Sequence, residues 1–104
     1  MKRVAFTMKL HAGQEAEYQR RHAALWPELT ALLKLTGISQ YSIFLEPASL
    51  ILFGVLAIDD PARLEELPTP PVMQKWWSYM KDIMDTHPDH SPVSIPLQEV
   101  FYLP

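Results

Sequence analysis

A chain of 104 residues, 48% hydrophobic and 20% charged, suffices for one hydrophobic core and is expected to form a single domain over residues 1–104. Its formal charge of −3, with no basic stripe, argues against a nucleic-acid partner or a membrane surface, and the lack of cysteine excludes a disulfide scaffold, a thiolate metal site and a cysteine nucleophile. No stretch is apolar over the length of a bilayer crossing and MKRVAFTMKLHAG lacks a continuous apolar run, so the expected location is cytoplasmic.

Residues 3–10, RVAFTMKL, alternate: Val4, Phe6, Met8 and Leu10 point one way, and Arg3, Ala5, Thr7 and Lys9 the other. That is a strand. A helical pattern follows from about Gly13 to Leu35, interrupted by Pro27. Proline cannot donate the intrahelical bond, so the segment is either one kinked helix or two helices with Pro27 in the first turn of the second. Gly37 is a suitable stop. Residues 38–46, ISQYSIFLE, form a second strand with Tyr41, Ile43 and Leu45 on one face, and EPAS is a hairpin loop. Residues 50–58, LILFGVLAI, form a third strand that is apolar on both faces. Asp60 and Pro61 cap a short helix reaching Leu67, and PTPP ends it. A further helix is predicted over 72–84, with Val72, Trp76, Met80 and Ile83 at helical spacing. THPDHSP is a loop, and PLQEVFYL (96–103) alternates as a last strand.

The order strand, helix, strand, strand, helix, strand is that of an α+β, ferredoxin-like fold, a four-stranded antiparallel sheet with its helices on one face. The second face of that sheet is then open. Strand 50–58 is too apolar to leave half in water, and the simplest cover is an identical subunit in a homodimer.

The segment EYQRRHAALWPEL (17–29) places Tyr18, His22, Leu25, Leu29 and Leu32 on one stripe, which should face the sheet. An inward imidazole needs hydrogen-bond partners, and burial moves its pKa readily. It is either a satisfied core histidine or a proton carrier in a pocket. In KWWSYM (75–80) the adjacent tryptophans lie about 100° apart on a helix, so Trp76 takes the core position and Trp77 flanks it. The pair is either plain packing or a platform on which the C–H face of a sugar stacks. Tyr41 could offer that ligand a hydroxyl. Trp26 reads as packing, His11 as a solvated strand-end residue, and Glu15, Glu17 and Glu28 as a solvated face. His87 and His90 in HPDH lack a matching third ligand, so no metal is assigned. No phosphate loop, nucleophile elbow or nucleotide fingerprint is present. Such a pocket needs no cofactor and can move protons on a bound neutral molecule.

EYQRRHAALWPEL, KWWSYM and the tail SPVSIPLQEVFYLP together resemble the L-rhamnose mutarotase family, over essentially the whole chain. The resemblance implies a cofactor-independent isomerase that interconverts the α and β anomers of L-rhamnose. It also implies a dimeric α/β-barrel of two ferredoxin-like subunits. By that resemblance His22 is the acid/base, and Tyr18, Tyr41, Trp76 and Trp77 bind the sugar. His90 stands where an amide side chain is expected. Two other readings fit the residues: a cofactor-free monooxygenase on the same dimeric fold, and a sugar-binding module without catalysis.

Overall fold

A computed structural model describes residues 1–104. Strand β1 spans Lys2–Lys9, helix α1 Glu15–Ala23, helix α2 Pro27–Leu35, strand β2 Ile38–Glu46 and strand β3 Ile51–Ile58. A 3₁₀ helix, Pro61–Glu66, leads to helix α3, Pro71–Met80, and the short strand β4, Ile95–Leu97. The strands form one antiparallel sheet in the order β2-β3-β1-β4, the ferredoxin-like arrangement expected from the element order. No helix is long and apolar enough to cross a membrane.

The helices cover one face of the sheet. Met8 and Leu10 from β1 and its end, and Leu52 from β3, meet Leu29 of α2 and Met73, Trp76 and Met80 of α3 in the main buried cluster. Pro27 resolves the helical segment into two helices, occupying the first turn of α2 after an extended Trp26. Gly37 then closes α2 at φ +91°, a left-handed backbone that an L side chain resists. Asp60 caps the 3₁₀ helix, its carboxylate accepting from the Ala62 N–H at 3.0 Å.

Two boundaries and one internal register differ from the sequence pattern. α3 ends at Met80 rather than continuing to Met84. Ile83 and Met84 are neighbours and both buried. The chain turns after Met80, so that Met84 bridges Leu10 while the Ile83 carbonyl accepts from the His11 N–H. β4 is confined to Ile95–Leu97 instead of running over 96–103. It pairs with β1 only across Thr7–Ala5, although β1 itself continues to Lys2. In β2, Gln40 adopts φ +50° and the register slips between Ser39 and Ser42. This β-bulge reverses the alternation, so Ile38 and Tyr41 both face the helices despite their unequal parity.

The second face of the sheet carries Phe44, Phe53, Val55, Ile95 and Leu97, placed together by the pairings Phe44–Phe53, Ser42–Val55, Thr7–Ile95 and Ala5–Leu97. Phe44 and Ile95 are 65% and 64% exposed. The tail folds back beside it, with the Arg3 guanidinium 3.8 Å from the centre of the Tyr102 ring and 3.9 Å from Glu99.

Candidate active site

Between the helices and the inner face of the sheet lies a cavity of about 880 Å³. β1 contributes Phe6 and Met8, β2 contributes Tyr41 and Ile43, α1 contributes Tyr18, Gln19 and His22, and α3 contributes Trp76 and Trp77. The five residues singled out by sequence therefore share one cavity. Leu25 and Leu29 line it too, so the stripe survives the break between α1 and α2.

His22 sits half-buried on α1, its ring stacked on Tyr18 at 4.3 Å between centroids with 29° between planes. Its other side meets the edge of Trp76 at 5.4 Å and 89°. Nδ1 lies 3.0 Å from the carbonyl oxygen of Tyr18. A carbonyl only accepts, so this contact assigns the neutral-ring hydrogen to Nδ1 and leaves Nε2 as the lone-pair nitrogen. Burial lowers the imidazole pKa, and the carbonyl bond opposes this only in part. At neutral pH the ring is a base.

The tyrosines behave differently. Tyr18 is buried beneath His22, and burial pushes its hydroxyl well above the ordinary phenol range, with the nearby Tyr41 adding to the effect. Tyr41 stands edge-on to Phe6, with centroids 6.2 Å apart and planes at 71°. The residue is 38% exposed, yet protein surrounds its hydroxyl closely enough to push it up to about 12. Both hydroxyls keep their protons at neutral pH and serve as hydrogen-bond groups.

Phe6 reaches Tyr41 because its cross-strand partner is Gly54. A Cβ on Gly54 would fall 2.5 Å from Cζ of Phe6, so the ring lies over a position that no other residue leaves open. Trp76 is buried and Trp77 half-buried, as their helical phase requires. Trp26 packs behind them, edge-on to Trp76 at 5.1 Å and stacked on Tyr79 at 5.5 Å.

A supporting ion network was not legible in the sequence. Arg21 is buried, and Glu17 is not simply part of a solvated face. Arg21 donates to Glu17 at 2.8 Å, to the Tyr79 carbonyl at 2.6 Å and to Asp82 at 2.9 Å, with its guanidinium over the Tyr79 ring at 4.3 Å. The network pins α1, and hence His22, to the end of α3. Arg20 and Arg21 hold the Glu17 carboxyl down to about 2. The one available signal was the Glu17–Arg21 spacing of four on a helix. His11 keeps 42% of its side chain exposed at the end of the strand, with Nε2 3.0 Å from Asp85. Loop residues Thr86, His90 and Ser91 also line the cavity.

The family model for L-rhamnose mutarotase matches residues 3–103. An L-rhamnose mutarotase of Rhizobium meliloti (strain 1021) is 53% identical over 103 residues, covering 99% of each chain. One of Bacteroides thetaiotaomicron is 52% identical over 103 residues, again 99% of each. The crystal structure of an L-rhamnose mutarotase from Formosa agariphila superposes with a TM-score of 0.93 at 46% identity over the whole of both chains. With its cavity, its histidine and its full-length likeness to these proteins, the chain belongs to the L-rhamnose mutarotase family.

Proposed function

We propose that this chain is a cytoplasmic, homodimeric isomerase that interconverts the α and β anomers of L-rhamnose without a cofactor, using His22 as acid/base and Tyr18, Tyr41, Trp76 and Trp77 to hold the sugar. Family membership supports the reaction. The observation that carries the mechanism is the 3.0 Å contact of His22 Nδ1 with the Tyr18 carbonyl, which leaves a basic Nε2 without a hydrogen-bond partner on a ring that lines the cavity.

The reaction follows from that nitrogen. Nε2 takes the proton of the C1 hydroxyl, its O–H electrons form the C1 carbonyl, and the bond from C1 to the ring oxygen breaks. The ring oxygen leaves with the bonding pair and receives a proton from a hydroxyl donor, for which Tyr18 and water are both chemically suited. The aldehyde turns about C1–C2, and the same steps in reverse close the ring on the other face, with His22 returning its proton. No net proton is consumed. A positioned acid/base typically contributes about 10² to 10⁴ in rate, enough for a reaction that also proceeds slowly in water. The tryptophans offer an apolar wall to the C–H face and the C6 methyl of a 6-deoxy sugar.

The dimer is supported by the second face of the sheet. Phe44, Phe53, Val55, Ile95 and Leu97 form an apolar surface that a second copy would cover with its own.

Saturation-transfer NMR tests the proposal. Irradiating one anomeric proton of L-rhamnose should deplete the signal of the other in the presence of the protein. Transfer no faster than in buffer would overturn the catalytic reading.

A further inference from the structure

Loop 85–92 aims a second histidine at the same cavity. Its ends are tied down by bonds from the Asp85 N–H to the Lys9 carbonyl, 2.9 Å, and from the Val93 N–H to the Asp85 carbonyl, 3.1 Å. Within it Thr86 bridges Pro92, the His87 N–H donates to the Ser91 carbonyl at 2.8 Å, and the His90 N–H donates to the His87 carbonyl at 2.8 Å. Asp89 accepts from both the backbone N–H and the hydroxyl of Ser91. This closed turn holds His90 at φ +73°, a left-handed backbone uncommon for residues other than glycine. The backbone is thus fixed, and a fixed backbone presents its side chain with little entropy left to lose on binding.

The imidazole itself is half-buried and lines the cavity beside Thr86 and Ser91. Neither ring nitrogen has a hydrogen-bond partner within the chain, whereas His11 and His22 each engage a carbonyl. A sugar carries hydroxyls around its ring, and most of the cavity wall is apolar. A hydroxyl brought against an apolar wall gives up its water for nothing, so the polar groups of the loop are what the remaining hydroxyls can reach.

Resting on the mutarotase reading, we propose that His90 is a sugar-contacting residue, its imidazole hydrogen-bonding a ring hydroxyl at the edge of the cavity formed by loop 85–92. His90 binds, and His22 carries the chemistry.

His90→Gly is the informative variant, because glycine adopts φ +73° without strain and removes only the side chain. The expected result is an unchanged thermal midpoint, a KM for anomer exchange raised about three- to tenfold, and kcat within about twofold of the parent. His90→Asn, which tolerates the same backbone and keeps a donor and an acceptor, should recover part of the loss. An unchanged KM in a fully folded His90→Gly protein overturns the assignment, as does a fall in kcat at constant KM. Calorimetric titration of L-rhamnose into the parent and His90→Gly proteins separates this from the function itself. A parent that binds the sugar without accelerating exchange removes the mutarotase reading, and the ratio of the two binding constants still decides His90. A parent that neither binds nor exchanges removes both.

Discussion

Tyr18 and His22 are joined twice: their rings stack at 4.3 Å, and the Tyr18 carbonyl receives the Nδ1 hydrogen of His22 at 3.0 Å. One turn of helix sets the ring's tilt and its tautomer together. His22→Ala should therefore fold, since a half-buried ring at a cavity wall leaves the main cluster intact. Anomer exchange should fall by about 10² or more. Thermal midpoint and exchange rate, measured on one sample, check both. Exchange unchanged per folded molecule would make His22 a packing residue.

The His22 pKa is lowered by burial, so the base stays neutral below the pH at which free imidazole protonates. The acidic limb of kcat/KM should have its midpoint below about 6.5. Stability follows the same sign. Between the lowered folded value and about 6.5 the unfolded chain binds more protons, so the His22 contribution is full above that range and is lost as pH falls through the folded value. Glu17, held at about 2, contributes above its ordinary value near 4.3 and loses that contribution as pH falls toward about 2. A pH series of kcat/KM and thermal midpoints reads the two separately.

Gly54→Ala should disturb the site from the sheet. The new methyl must displace the Phe6 ring, and Phe6 supports Tyr41 edge-on. Overpacking of this kind costs about 1–3 kcal/mol. The expected variant is less stable and has a KM raised several-fold. Phe6→Leu in the same chain should relieve the stability loss without restoring KM, as leucine cannot replace the ring edge. Additive effects in the double variant would show that the two positions act independently.

If Trp77 and its neighbours receive the C6 methyl, L-rhamnose should be preferred over L-mannose, which carries a hydroxyl there. A hydrophobic pocket rejects an added hydroxyl only modestly, on the order of 10² in kcat/KM. Equal efficiency for the two sugars would direct the tryptophans to another part of the ring.

Sedimentation at micromolar concentration should give a dimer, and Phe44→Lys should shift it toward monomer by placing a charge on the apolar second face. A parent that sediments as a monomer would leave that face without its proposed cover.

Much of this molecule was legible in the order of its residues. Alternation in RVAFTMKL and the unbroken apolar run of β3 marked the strands, and Pro27 and Gly37 marked where α2 begins and ends. The pocket was legible because Tyr18 and His22 take stripe positions that leucine would fill more cheaply, and because Trp77 flanks its stripe beside Trp76. What escaped notice depends on contacts distant in the chain. The bulge at Gln40 shows in no pattern of hydropathy. Arg21 looks like an ordinary surface arginine until α3 brings the Tyr79 carbonyl and Asp82 to it. The tail 98–103 alternates like a strand, but its pairing with β1 stops at Leu97, and alternation alone does not keep a segment in the sheet.

The place of β1 in the sheet has a consequence for synthesis. It is the first element made, yet its two neighbours are β3 and β4, and the cavity is closed by α3 and the loop after it. While the chain leaves the ribosome, β1 and α1 wait with their apolar stripes uncovered and His22 facing no wall. Contacts of such long reach are slow to form and expose sticky surface meanwhile. The site is therefore complete only late in translation, and a chain stopped before Pro71 would carry His22 without Trp76, Trp77 and the loop that close the cavity around it.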